Sequence, residues 1–143
     1  NVMVGGVYGD HLTEKEAKKK SLNILEMIGL YDKKDLFAGK LGLLDRKRLE
    51  IGRALASNPR LLLLDEVAGG LTESEVVKIL EIVKMVKEQG VSIVWIEHVI
   101  RTMLEGTDRV MCLAEGRDVI CGCPVDVMGS KEVSDVYLGA DEE

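Results

Sequence analysis

Asp65 and Glu66 stand side by side at the end of an apolar run, Leu61 to Leu64, and Glu97–His98 ends a second apolar run, Val91 to Ile96. Carboxylates in such a place can hold a hydrated divalent cation or take a proton from water, and a histidine can hydrogen-bond a phosphate oxygen. The two runs are short, and a segment with helical periodicity separates them. That order is strand, helix, strand, the unit of a parallel α/β sheet. Ligands of open α/β sheets bind outside the carboxyl ends of the strands. Asp65, Glu66 and His98 are therefore expected on one edge, where they suit the handling of a metal-bound phosphate. Asp65 would organise the metal through water. Glu66 would act as general base on the water in line with the terminal phosphate, and His98 would bond that phosphate. Singly, each has a plain structural alternative: a buried strand reaching solvent at its acidic end, or a histidine that only satisfies local hydrogen bonds. Their shared register favours the chemical reading.

What cradles the phosphate is not among these residues, since no G-x-x-x-x-G-K-[ST] loop occurs in them. The chain reads as the second half of a nucleotidase. Two further segments bear on an anion. Ala68-Gly69-Gly70-Leu71-Thr72 is a tight glycine turn directly after the acidic pair, leading into a capped helix. Arg46, Lys47 and Arg48 fall in the expected first turn of another helix, against the preference of the helix dipole for acids there. A nearby phosphate or acidic partner would resolve that conflict, and a solvated basic turn is the alternative. Cys121 and Cys123 offer two sulfurs with no second pair of ligands nearby, whereas zinc needs about four. His11 has no company and reads as an exposed residue.

The elements that must position these groups are marked by caps and periodicity. Thr13 and Glu16 have capping-box spacing, and the helix they open should run to about Met27 or Ile28, ended by Gly29. The glycine-rich stretch before it, Asn1–Asp10, reads as a loop or short segment, and Asp32–Lys40 as a polar connection. A second helix is expected from about Asp45 to Ser57, stopped by Asn58-Pro59. Leu61–Leu64 is apolar on both faces, which predicts cover on both sides. Thr72 and Glu75 form a second capping box. The helix that follows carries Val76, Ile79, Leu80, Val83 and Val86 on its buried side and ends at Gly90. Arg109–Ala114 and Asp118–Gly122, flanking Glu115-Gly116-Arg117, predict a hairpin. Short helices are expected after Pro124 and Ser130.

Bulk properties limit the classes of function. At 143 residues and 46% apolar, the chain can bury an ordinary core. A net charge of −6 and a pI near 5.1 argue against a broad nucleic-acid face. Lys18–Lys20 reads as a solvated helix face. No apolar stretch approaches the roughly 18 residues that span a bilayer, and no signal peptide is recognisable. Three scattered cysteines fit a reducing compartment, so a cytoplasmic location is expected.

Taken in order, these motifs resemble the C-terminal part of an ATP-binding-cassette (ABC) ATPase, of the kind that serves branched-chain amino acid importers. LLLLDE resembles the Walker B segment, AGGLT the D-loop, and IEHV the segment with the switch histidine. LGLLDRKRLEIGRALASNP stands in the place of the signature motif and its helix. NVMVG resembles the stretch after the Q-loop, and CPVDVMGSKEVSDVYLG the family's closing segment. The resemblance covers nearly the whole chain. It implies a partial P-loop NTPase fold: α/β, a mostly parallel sheet with helices, and a helical subdomain. Residues 1–58 would be that subdomain and 59–143 the C-terminal half of the nucleotide-binding core. It further implies ATP and Mg2+ as ligands, Asp65 on the metal, Glu66 and His98 in catalysis, and Gly42, Leu43, Leu44, Asp45 and Gly70 near nucleotide. The partners it implies are a second ATPase subunit and membrane permease subunits, with the protein on the inner face of the cell membrane, and no nucleic acid.

The chain departs from the family pattern at several positions. Leu41-Gly42-Leu43-Leu44-Asp45 replaces the usual Leu-Ser-Gly-Gly-Gln. Val67 replaces a common proline, and Thr72 stands where an acid or amide is usual. A non-catalytic interaction module derived from such an ATPase, or an ABC ATPase with a task other than transport, are the alternative readings.

Overall fold

A computed structural model describes residues 1–138. Residues 1–97 form one compact unit, and the chain from His98 onward forms a second. Gly139, the last residue of the closing Tyr-Leu-Gly, lies outside the described residues.

Of the loop or short segment expected at Asn1–Asp10, the first unit shows the latter: Val2–Val4 form a short helix (α1) that passes into a π-helical turn, Gly5–Gly9. The glycines serve close approach rather than flexibility. A Cβ on Gly5 would lie 2.6 Å from the carbonyl oxygen of Arg53, and one on Gly9 2.5 Å from Cβ of Ser57. Any larger residue would push this segment off the helix it lies against. The next helix, α2 (Glu14–Met27), begins where the capping box placed it. The Glu16 carboxylate accepts the Thr13 N–H at 3.0 Å, and the Thr13 hydroxyl accepts the Glu16 N–H at 3.4 Å. Gly29, at φ +69°, ends it. Two 3-10 turns, Tyr31–Lys33 and Ala38–Lys40, make the polar connection.

The second expected helix, α3 (Leu43–Ala56), starts two residues before Asp45, with Gly42 at its N-cap. Strand β1 (Leu61–Asp65) follows, then α4 (Glu73–Glu88) and β2 (Ser92–Ile96). The strands pair in parallel, from Leu61 opposite Ser92 to Asp65 opposite Ile96, which makes the expected βαβ unit. One core unites these elements: Ile24 and Ile28 of α2, Ile51 and Leu55 of α3, Leu62 and Leu64 of β1, and Ile79, Ile82, Val83 and Val86 of α4.

That core covers only one face of the sheet. Leu62 and Leu64 are buried, but Leu61 is 51% and Leu63 69% exposed, and Val94 and Ile96 of β2 are exposed as well. The expectation of cover on both sides is therefore corrected for the described chain. The strand is apolar on both faces, but every helix that buries Leu62 and Leu64 lies on their side of it.

In the second unit a short helix that sequence did not predict, α5 (Ile100–Gly106), precedes a hairpin of β3 (Val110–Ala114) and β4 (Arg117–Gly122). Glu115 and Gly116 connect them, both at positive φ, as a two-residue hairpin turn requires. Helix α6 (Pro124–Met128) opens on a proline whose missing N–H costs nothing at that position, and α7 spans Lys131–Leu138. Val110, Val127 and Val133 form this unit's small core. Among the described residues no helix is long and apolar enough to cross a membrane.

Candidate functional site

Asp65 is the last residue of β1 and is exposed at its carboxyl end. Its carboxylate has no hydrogen-bond or ion-pair partner among the described residues. Glu66 prolongs the parallel ladder by one bond, donating its N–H to the carbonyl of Ile96 at 2.9 Å. There the strand ends, because Glu66 sits at φ +47°, the left-handed region that a residue with a Cβ seldom adopts. The carbonyl of Glu66 accepts two hydrogen bonds, from Gly69 N–H at 3.3 Å and from Lys47 Nζ at 3.0 Å. Val67 and Ala68 turn inward and are buried, leaving the Glu66 side chain exposed. Gly70, at φ +76°, completes the turn, and the Glu75 carboxylate accepts the Thr72 N–H at 2.9 Å where α4 begins.

Sequence reasoning missed Glu97. It appeared only as the residue before His98, yet its Oε1 accepts the buried backbone N–H of Ala68 at 2.6 Å. Its position one residue beyond Ile96, and so level with Glu66, was the available signal. His98 is exposed and opens the second unit. Within the first unit it is Glu97 that is tied to the turn after β1.

The start of α3 resolves the expected clash with the helix dipole. With Leu43 as the first helical residue, Asp45 falls in the first turn, where an acid is favoured, and the three basic residues move up the helix. Each has a partner within the chain, although Arg48 Nε is buried without a hydrogen bond. Arg46 Nε donates to the Leu41 carbonyl at 2.9 Å, Lys47 holds Glu66, and Arg48 pairs with Asp45 at 3.6 Å. Asp45 also bonds Lys33. No anion is needed to explain the basic cluster. Gly42 is exposed, with open space where a Cβ would point, and Leu44 is half-buried against the core. Leu43 is 45% exposed, and its Cδ2 would lie 3.3 Å from a Cβ on Gly70. The structure thus brings the start of α3 against the turn that follows Asp65 and Glu66.

The donor set fits one metal chemistry and not others. Among the described residues no three His, Cys, Asp or Glu side chains cluster as a protein-built metal cage. A single free carboxylate at a strand end suits Mg2+, which keeps several waters and takes one or two carboxylates together with substrate phosphates. A hollow of about 380 Å3 in the first unit, among Val2, Leu22, Leu25, Leu30, Tyr31 and Leu36, is lined by neither Asp65 nor Glu66.

Shifted titration in this unit belongs to the helix caps. Hydrogen bonds from the Thr13 side chain, then its backbone, hold Glu16 below the usual carboxylate value. The Thr72 backbone, then its side chain, does the same for Glu75.

No family model matches the chain. It is 28% identical over 132 residues to the lipopolysaccharide export system ATP-binding protein LptB of Escherichia coli K12, covering 92% of this chain and 55% of LptB. It is 32% identical over 129 residues to the high-affinity branched-chain amino acid transport ATP-binding protein BraF of Pseudomonas aeruginosa PAO1, covering 89% and 50%. Among solved structures, CbiO1 from Clostridium perfringens, part of the ABC transporter complex cbiONQ, superposes with a TM-score of 0.80. The identity there is 32%, over 98% of this chain and 56% of that one. The chain spans about half the length of the curated relatives it matches. In sequence and in fold the chain is similar to ATP-binding subunits of ABC transporters.

Proposed function

We propose that these residues form the Walker B half of an ATPase subunit of an ABC transporter, with Asp65, Glu66 and His98 acting on the subunit's own nucleotide. The observation that carries the reading is the strand end. A free, exposed Asp65 precedes a Glu66 whose backbone is bent out of the strand, so that two carboxylates emerge together at the carboxyl edge of a parallel pair. Asp65 would hold a water of a hydrated Mg2+, whose charge offsets that gathering on the phosphates. Glu66 would accept the proton of the attacking water, and His98 would bond the terminal phosphate. The phosphate cradle would come from a G-x-x-x-x-G-K-[ST] loop outside these residues.

On this reading residues 1–58 are the helical subdomain and 59–143 the C-terminal half of the nucleotide-binding core. Gly42, Leu43, Leu44 and Asp45 would face the nucleotide of a second subunit, with Gly70 in the connecting turn. Closure of the two subunits would drive permease subunits at the inner face of the membrane. Relatives named for lipopolysaccharide export and for branched-chain amino acid transport both match. Our preference for branched-chain amino acids rests on the resemblance of the signature region and the closing segment to that importer type.

The test is to read the DNA upstream of the Asn1 codon and to assay the protein encoded by the whole frame. An in-frame phosphate loop and Mg2+-dependent ATP hydrolysis, lost in Asp65→Asn, are expected. A nearby start codon with no such loop, and no hydrolysis, would leave a non-catalytic interaction module as the better account.

A further inference from the structure

A residue with a Cβ persists at positive φ only where its surroundings over-determine it. Four hydrogen bonds do so at Glu66. Two are made by the main chain alone: Glu66 N–H to Ile96, and Gly69 N–H to the Glu66 carbonyl. The other two come from side chains on different elements. Lys47 Nζ reaches from the second turn of α3 to the Glu66 carbonyl, and the Glu97 carboxylate reaches from just beyond β2 to the Ala68 N–H, two residues on. The Ala68 N–H belongs to a 1% exposed residue, so without Glu97 a buried donor would be left unpaired. A charged acceptor makes the stronger bond. The turn is gripped from both sides, by bonds to its own backbone.

We infer that Lys47 and Glu97 are positioning residues that together hold Glu66 in its left-handed conformation and so aim its carboxylate. This rests on Glu66 being the general base. Lys47 shares α3 with the Gly42–Asp45 start of that helix, so a shift of α3 is transmitted directly to the Glu66 carbonyl.

The experiment has two arms, both on the protein encoded by the whole reading frame. The first needs no activity. The HN–Hα coupling and 13Cα shift of Glu66 report its φ, and amide hydrogen exchange at Ala68 reports the Glu97 bond. Glu97→Leu should speed that exchange about tenfold and move the Glu66 signals toward those of an extended residue. Lys47→Met should move the Glu66 signals, and Lys47→Arg should restore them. The second arm is kinetic. Both disruptive variants should lower kcat about tenfold with KM for ATP within about twofold, because the bonds removed are to the backbone of the turn. Unchanged Glu66 signals in both variants would overturn the inference, as would altered signals with an unchanged kcat. If the wild type hydrolyses no ATP, the parent reading fails. The spectroscopic arm then decides by itself whether Lys47 and Glu97 hold the turn.

Discussion

The two faces of the β1–β2 pair are built from similar residues and meet opposite fates. On one, Leu62 and Leu64 are buried under α2, α3 and α4. On the other, Leu61, Leu63, Val94 and Ile96 are all more than half exposed, with Leu63 directly opposite Val94. Side-chain chemistry does not distinguish the faces; cover does. An apolar run says that a strand can be buried on both sides, but which segment does the burying is a property of the rest of the fold. Contiguous apolar surface of this kind marks an interaction or aggregation site, and among the described residues both outer edges of the two-stranded sheet are also unpaired.

The largest effect is expected on the covered side. Ile79, fully buried in α4, should cost about 2–5 kcal/mol when changed to Ala, by lost transfer energy and a residual cavity. Leu63→Ser on the open face should change stability by less than about 0.5 kcal/mol, as an exposed site does, and should reduce self-association. Urea titration and light scattering on the same samples measure both. A Leu63→Ser variant as destabilised as Ile79→Ala would mean that the open face is covered in solution.

Gly5→Ala asks whether the opening segment belongs to the same core. Its Cβ would meet the Arg53 carbonyl at 2.6 Å, so a loss of about 1–3 kcal/mol is expected, read in the same titration. A free loop would tolerate alanine.

The smallest effects lie at the caps. Thr13→Ala and Thr72→Ala should each cost about 1 kcal/mol. Both caps hold their glutamates below the ordinary carboxylate pKa, so their contribution is fully present above pH 4.5 and is lost as pH falls through the lowered values. The gap between wild type and either variant should therefore narrow below pH 4.5. A gap that widens on acidification would contradict the hydrogen-bonded carboxylates.

What was legible in sequence follows the same division. Thr13 with Glu16, Thr72 with Glu75, Gly29 and Gly90 mark helix ends by local geometry, and all four lie where their spacing puts them. The parallel pairing of Leu61–Asp65 with Ser92–Ile96 was readable from two apolar runs and a helix between them. Long-range contacts were not readable. Nothing local says that Gly5 and Gly9 serve approach to α3, that Lys47 reaches Glu66, or that Glu97 takes the Ala68 N–H. Helix α5 escaped because Val99 offers no side-chain cap and the helix is short. At the site, the residue types pointed to Asp65 and Glu66. The backbone bend that presents Glu66 was invisible, since a glutamate at positive φ follows no local rule.

Whether Glu66 is the general base is decided by the hydrolysis rate and ATP affinity of Glu66→Gln in the protein encoded by the whole reading frame. Gln keeps the size and polarity of the side chain and removes the base. The account predicts ATP binding close to wild type with kcat lowered by about 10²–10⁴-fold, the usual contribution of a positioned base. A Glu66→Gln protein that turns over ATP as fast as wild type would contradict it, because the carboxylate that the β1 turn holds in place would then have no part in the chemistry.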